Sequence, residues 1–85
     1  MRTVVLYTRE GCCLCDDARD VLLRVRERCS FKLEERDIEQ NDAWHRAYLE
    51  RIPVVTIDGV EAFDLSVDEG ELERALLGSR LAEPR

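Results

Sequence analysis

Thr3-Val4-Val5-Leu6-Tyr7-Thr8 is a continuous apolar run rich in β-branched residues, and Gly11 interrupts the pattern just beyond it. Such a run reads as a buried strand. Directly behind it the period changes. Ala18, Val21, Leu22, Val25 and Cys29 recur at i, i+3, i+4, i+7 and i+11, which is one face of a helix. Asp16 and Asp17 stand in its first turn and Arg24, Arg26 and Arg28 towards its end, an order that suits the helix dipole. Phe31 and Leu33 then alternate with Lys32 and Glu34, so Phe31 to Asp37 reads as a second strand. A strand–helix–strand opening demands parallel strands joined by a right-handed crossover. That demand restricts the fold more than any other feature of the chain.

The remaining elements complete a small α/β domain. Asn41 or Asp42 can cap a second helix, with Trp44, Ala47 and Tyr48 as its apolar stripe. Pro53-Val54-Val55-Thr56-Ile57 reads as a third strand. Asp58-Gly59 is a strong hairpin signal, and Val60 to Phe63 is the returning fourth strand. Ser66-x-x-Glu69 has the form of a capping box, opening a third helix that carries Leu72, Ala75 and Leu76. The order is βαβαββα, and the sheet it implies is mixed, four-stranded and covered by helices. No repeat, linker or low-complexity stretch divides residues 1–85, so a single domain is expected.

A chain of 85 residues buries only roughly 60% of the surface its unfolded form exposes, so its core must be compact. The net charge of −6 argues against nucleic acid as a partner, because phosphate binding needs a basic face. No segment approaches the roughly 20 apolar residues that span a bilayer, and no membrane partner is expected. Met1-Arg2 runs straight into the first strand with no leader pattern, so the expected location is cytoplasmic. There, closely spaced cysteines serve catalysis or metal binding more often than structural disulfides.

Three of the four cysteines crowd into Glu10-Gly11-Cys12-Cys13-Leu14-Cys15. Residues three apart on a helix are neighbours, so Cys12 and Cys15 can meet if the helix starts near Cys12 or Cys13. Cys13 and Cys15 meet poorly, and a Cys12–Cys13 disulfide would close a strained ring. Cys29 lies roughly 21 Å further along a helix, beyond the ~7 Å Cα separation a disulfide tolerates. It reads as a small buried apolar residue. Cys12 at a helix N-terminus has the free N–H groups and dipole that favour a thiolate. Arg9 adds positive charge nearby, whereas Glu10, Asp16 and Asp17 oppose it. The balance predicts a Cys12 less acidic than a strong oxidant requires. A structural zinc site usually takes four ligands, and only three cysteines are local. His45, the single histidine, falls on the second helix and reads as solvated. No resident metal or bound cofactor is expected, and Cys13 is left as a bystander, a tuning residue or an alternative oxidation site.

G-C-C-L-C after a first strand, D-I-E after the second and R-I-P-V-V-T-I-D-G across the third resemble the glutaredoxin-like branch of the thioredoxin superfamily. The resemblance runs from Val4 to about Leu77. It implies a thioredoxin-like fold and a small thiol–disulfide oxidoreductase in which Cys12 is the nucleophile and Cys15 the resolving thiol. It further implies a cis Pro53, with Ile52 offering backbone groups to an extended substrate. Arg9, Cys13, Leu14, Ile52 and Pro53 are the implied substrate-binding residues. Two departures stand out. The Pro-Tyr common between glutaredoxin cysteines is replaced by Cys13-Leu14, and no Gly-Gly turn follows the fourth strand. Arg9 takes the place of a basic residue that meets a glutathione carboxylate, and Asp64, Ser66 and Asp68 are the nearest candidates for its amino group. Glutathione is therefore one candidate co-substrate, beside a protein dithiol or another small thiol. The expected partners are a disulfide-bearing protein or small molecule and a reductase or thiol donor, acting on a monomer. Two rival readings remain: an iron–sulfur or metal carrier using Cys12, and a thioredoxin-fold binding module without turnover.

Overall fold

The computed structural model describes residues 2–82, with side chains described through Leu77. Strands β1 (Arg2–Thr8), β2 (Phe31–Asp37), β3 (Val54–Ile57) and β4 (Val60–Asp64) form one sheet in the order β2-β1-β3-β4. Helices α1 (Cys13–Arg26), α2 (Asp42–Tyr48) and α3 (Glu69–Ala82) complete the expected βαβαββα order, and a 3-10 turn at Ile38–Gln40 is inserted before α2. β1 pairs parallel with β2 and antiparallel with β3, and β3 pairs antiparallel with β4. The sheet is mixed, as the βαβ opening and the hairpin together require.

β1 is continuous in apolar residues because both its faces are buried. Val4 and Leu6 point into the main core with Ala18, Leu22 and Val25 of α1, Phe31, Val55, and Leu72 and Leu76 of α3. Val5 and Tyr7 point the other way, onto Ile38, Val54, Trp44, Tyr48 and Ile52. Thus α1 and α3 cover one face of the sheet and the short α2 covers the other. Arg36 lies over the rings of Tyr7 and Trp44, at 5.9 and 5.5 Å from their centroids, and closes the edge of this second cluster. Arg24 and Arg28 reach from the end of α1 and just beyond it to Glu69, and Arg28 also reaches Glu73, which tacks α1 to α3.

The two-residue hairpin forms as its sequence predicts. Asp58 and Gly59 both have positive φ, 52° and 86°, as the type I′ geometry needs. Asp58 also accepts the N–H of Thr3 at 2.9 Å and pairs with Arg2 at 2.7 Å, so the turn is fastened to the start of β1. In β4, Val55 pairs with Phe63 and Thr56 with Glu61, which leaves Ala62 as the extra residue of a bulge on the edge strand.

Four local expectations are corrected. α1 ends at Arg26 and does not run on to Cys29, whose N–H instead closes a last turn onto the Val25 carbonyl at 2.8 Å. Cys29 is nevertheless buried in the main core, as its place in the pattern implied. Ala47 faces solvent, because the short α2 packs only Trp44 and Tyr48 against the second core cluster, and buries even these in part only. β3 begins at Val54, one residue after Pro53, which has no N–H to give a ladder. α3 is capped by Asp68 and not by a Ser66–Glu69 box: Asp68 Oδ1 accepts the Glu71 N–H at 2.9 Å, and Glu69 is already helical. For α2 the choice falls on Asn41, whose side chain accepts the N–H groups of Ala43 and Trp44.

Candidate active site

The cysteine loop is built by a glycine and closed by a thiol. Gly11 sits at φ 84°, a left-handed conformation that side chains rarely adopt, and turns the chain from β1 into α1. Cys12 follows in extended conformation as the N-cap of α1, its own N–H donating to the Arg9 carbonyl at 3.3 Å. Ser, Thr, Asp or Asn usually fill this position because their oxygen accepts an orphan N–H of the first turn. Here sulfur takes that place: Cys12 Sγ accepts the backbone N–H of Cys15 at 3.2 Å. The two cysteines therefore meet, as their spacing required.

They meet in unequal environments. Cys12 is half-buried, and Cys15 is only 1% exposed. Burial, and a hydrogen bond with Cys12, push the Cys15 thiol up to about 11. The Thr8 side chain and the Arg9 backbone also face this thiol and pull in the opposite direction. Thr8 is buried at the end of β1. Cys13 is exposed, and Leu14 is 51% exposed, so both lie on the surface beside Cys12. Cys29 is free and belongs to the core, apart from the other three. Among the described residues, no three His, Cys, Asp or Glu side chains are grouped so as to hold a metal ion.

The Ile52–Pro53 peptide bond is cis. Extending the β1–β3 register one step past Tyr7–Val54 sets Pro53 beside Thr8, and thus beside the residue that faces Cys15. Ile52 differs from expectation in one respect. Its N–H is already given to the Tyr48 carbonyl at 3.0 Å and is not free for a substrate. The Pro53 carbonyl is likewise taken, by the N–H of Leu65 at 2.9 Å.

The loop after β4 was expected to offer Asp64, Ser66 and Asp68 to an amino group, and the structure gives the two acids other work. Asp64 pairs with Arg51 at 3.1 Å, and Asp68 caps α3. Ser66 donates its N–H to the Asp64 carbonyl, which tightens the turn. The same loop holds Leu65 at φ 69°, half-exposed, in a region that costs a branched side chain energy. Arg9 is not free either: its guanidinium pairs with Glu39 at 2.7 Å. Thr8 and Leu65 are the residues that sequence reasoning missed at this site. A threonine ending a strand and a leucine opening a loop carry no local signal of where the fold places them.

Two hollows mark the surface nearby. A cavity of about 210 Å³ is lined by Arg9, Glu10, Asp37 and Glu39, next to the cysteine loop. A wider one of about 410 Å³ lies over α2 and the turn after it, lined by His45, Arg46, Ala47, Leu49, Glu50 and Arg51, and includes no cysteine. His45 is half-buried in the wall of this hollow and not fully solvated as its sequence position suggested.

The family model described as Glutaredoxin-like domain (DUF836) matches residues 3–80. The chain belongs to the glutaredoxin-like family. Its fold is shared by the protein Ne2328 of Nitrosomonas europaea, solved in solution, at 30% identity and a TM-score of 0.78, covering 88% of this chain and 91% of that one. A structural-genomics target protein from X. campestris, XcR50, is similar at 28% identity and a TM-score of 0.76, covering 89% and 97%. A thioredoxin mutant from Halobacterium salinarum superimposes at a TM-score of 0.69 over 91% of this chain and 73% of its own, and at 18% identity that likeness concerns the fold alone. The glutaredoxin-like assignment agrees with the thioredoxin-like sheet order and the Cys12–Cys15 geometry.

Proposed function

We propose that this protein is a thiol–disulfide oxidoreductase whose Cys12/Cys15 dithiol reduces protein or low-molecular-weight disulfides. One observation carries the reading: the accessible sulfur of Cys12 receives the N–H of Cys15, while the Cys15 thiol is buried and held protonated. The pair is divided into an attacking and a waiting thiol.

The chemistry follows from that division. The Cys12 thiolate attacks one sulfur of a substrate disulfide, forms a mixed disulfide and releases the other sulfur as a thiol. Cys15 then gives up its proton and attacks Cys12 Sγ, releasing the second substrate thiol and leaving a Cys12–Cys15 disulfide. Two electrons pass from the dithiol to the substrate. The Cys15 N–H faces the charge that the Cys12 sulfur carries before it attacks, and that charge passes to the leaving sulfur. The Thr8 side chain faces Cys15 as its thiolate forms. Half-buried Ile52, with exposed Leu14 and Cys13, borders the approach of the substrate, whereas Pro53 is fully buried and fixes the start of β3. A reductase or a thiol such as glutathione restores the dithiol, and the pair itself carries the electrons without a bound cofactor. The reading places the protein as a monomer in a reducing cytoplasm, away from membranes and nucleic acid.

Single-turnover trapping with chemically reduced protein tests it. Cys12→Ser abolishes reduction of a model disulfide, and Cys15→Ser stops at a mixed disulfide on Cys12, visible as a mass adduct. A metal carrier or a binding module without turnover predicts no such adduct. Turnover by Cys12→Ser overturns the assignment.

A further inference from the structure

The Asp37-Ile38-Glu39 run takes no part in the thiol chemistry, yet each of its side chains is separately fixed. Asp37 Oδ1 accepts the Glu39 N–H at 2.8 Å and caps the 3-10 turn. Ile38 is fully buried against Val5, Tyr7 and Val54, so the turn is anchored in the second core cluster. The outcome is the position of Glu39, which pairs with Arg9 Nε at 2.7 Å. Arg9 stands three residues before Cys12 and takes the Cys12 N–H on its carbonyl, so its side chain, paired with Glu39, leaves the backbone of the loop that leads into the thiols. The cavity beside that loop is lined by one guanidinium and three carboxylates: Arg9, against Glu10, Asp37 and Glu39.

We infer that Glu39 determines substrate specificity. By holding Arg9 it cancels the one cation lining this cavity. The Cys12/Cys15 site is thereby turned away from disulfides that carry carboxylates and towards those that carry amino or neutral groups. This rests on the thiol–disulfide reading given above and adds the substrate class. The Arg9–Glu39 pair is about half exposed, so it belongs to the class of ion pairs whose energies are modest and salt-sensitive.

The test uses pre-reduced protein in single turnover at low ionic strength. The protein dithiol is the only reductant: the substrate disulfide breaks, the Cys12–Cys15 disulfide forms, and two electrons and two protons pass to the released thiols. Three probes differ in charge: cystamine (cationic), hydroxyethyl disulfide (neutral) and dithiodipropionate (anionic). Each charged rate is divided by the same variant's rate with the neutral probe. The unmodified protein is oxidised faster by cystamine than by dithiodipropionate. Glu39→Gln lowers that ratio about two- to fivefold, the range of an exposed ion pair. Adding Arg9→Gln to Glu39→Gln brings the ratio back towards its starting value, because the freed cation is gone. An unchanged ratio in Glu39→Gln, with the neutral probe still reacting, overturns the role of Glu39 and leaves the oxidoreductase reading standing. A double variant that behaves like Glu39→Gln overturns it too, since Arg9 is then not the group being held. Failure of all three probes to oxidise the unmodified protein removes both inferences together.

Discussion

Cys12 and Cys15 are joined through the backbone: the N–H of Cys15 lies 3.2 Å from the Cys12 sulfur, while its own thiol is withdrawn from solvent. The helix that carries one cysteine is started by the other. Disturbing either therefore changes both the helix terminus and the pair of thiols, and the consequences can be separated by measurement.

The first consequence concerns pH. The Cys15 thiol is pushed up to about 11 from an ordinary value of 9.0, chiefly by burial. Between these values the unfolded chain releases the proton and the folded one keeps it, so the folded state binds more protons and stability falls as pH rises. The contribution is fully present below about pH 9 and is lost on the way to pH 11. Urea unfolding of the reduced protein across that interval is expected to show the decline, and Cys15→Ala to flatten it. An equal decline in Cys15→Ala would assign the effect elsewhere.

Thr8 is expected to act on the resolving step alone. Thr8→Val preserves shape but deletes the hydroxyl facing Cys15. A hydrogen bond of ordinary net worth, about 0.5–1.5 kcal/mol, corresponds to a slowing of about two- to tenfold. Stopped-flow measurement should find the Cys12 mixed disulfide forming at its usual rate and persisting longer. Slower formation with unchanged decay would contradict the placement of Thr8 beside Cys15.

Leu65 sits at φ 69° with half its surface in water. Glycine adopts that backbone without steric cost, whereas a leucine carries about 1–2 kcal/mol of strain there. Glycine's greater freedom in the unfolded chain and the lost apolar contact offset part of the gain. Leu65→Gly is accordingly expected to be at least as stable as the unmodified protein in urea. A loss exceeding about 1 kcal/mol would show that the side chain matters more than the strain.

The cap of α3 gives a clean contrast between neighbouring residues. Asp68→Ala removes the acceptor for the Glu71 N–H and is expected to lower stability by about 1 kcal/mol. Ser66→Ala leaves that bond intact and is expected to change stability by less than about 0.5 kcal/mol. Thermal unfolding of the two variants side by side would expose an inverted order.

These elements also show where the sequence was readable. The β1 run, the α1 stripe as far as Val25 and Asp58-Gly59 each express a period or a turn chemistry within a few residues, and these formed as expected. Cys12 and Cys15 were equally legible, because spacing on a helix start fixes their meeting. The misreadings came where two local solutions compete. Ser66 and Asp68 can both cap, and the backbone entry into α3 selected Asp68. The stripe through Cys29 continued in space although the helix stopped at Arg26. Thr8, Leu65 and the Arg9–Glu39 pair depend on contacts between elements, and no local pattern announces them.

The central claim is the paired dithiol, and a redox titration measures it directly. The protein is equilibrated against graded thiol–disulfide ratios, alkylated, and its free cysteines located by mass spectrometry. The account predicts one two-electron transition confined to Cys12 and Cys15, with Cys13 and Cys29 alkylatable after denaturation at every ratio. No transition at Cys12 and Cys15, or an adduct on Cys12 that leaves Cys15 free at equilibrium, would contradict it.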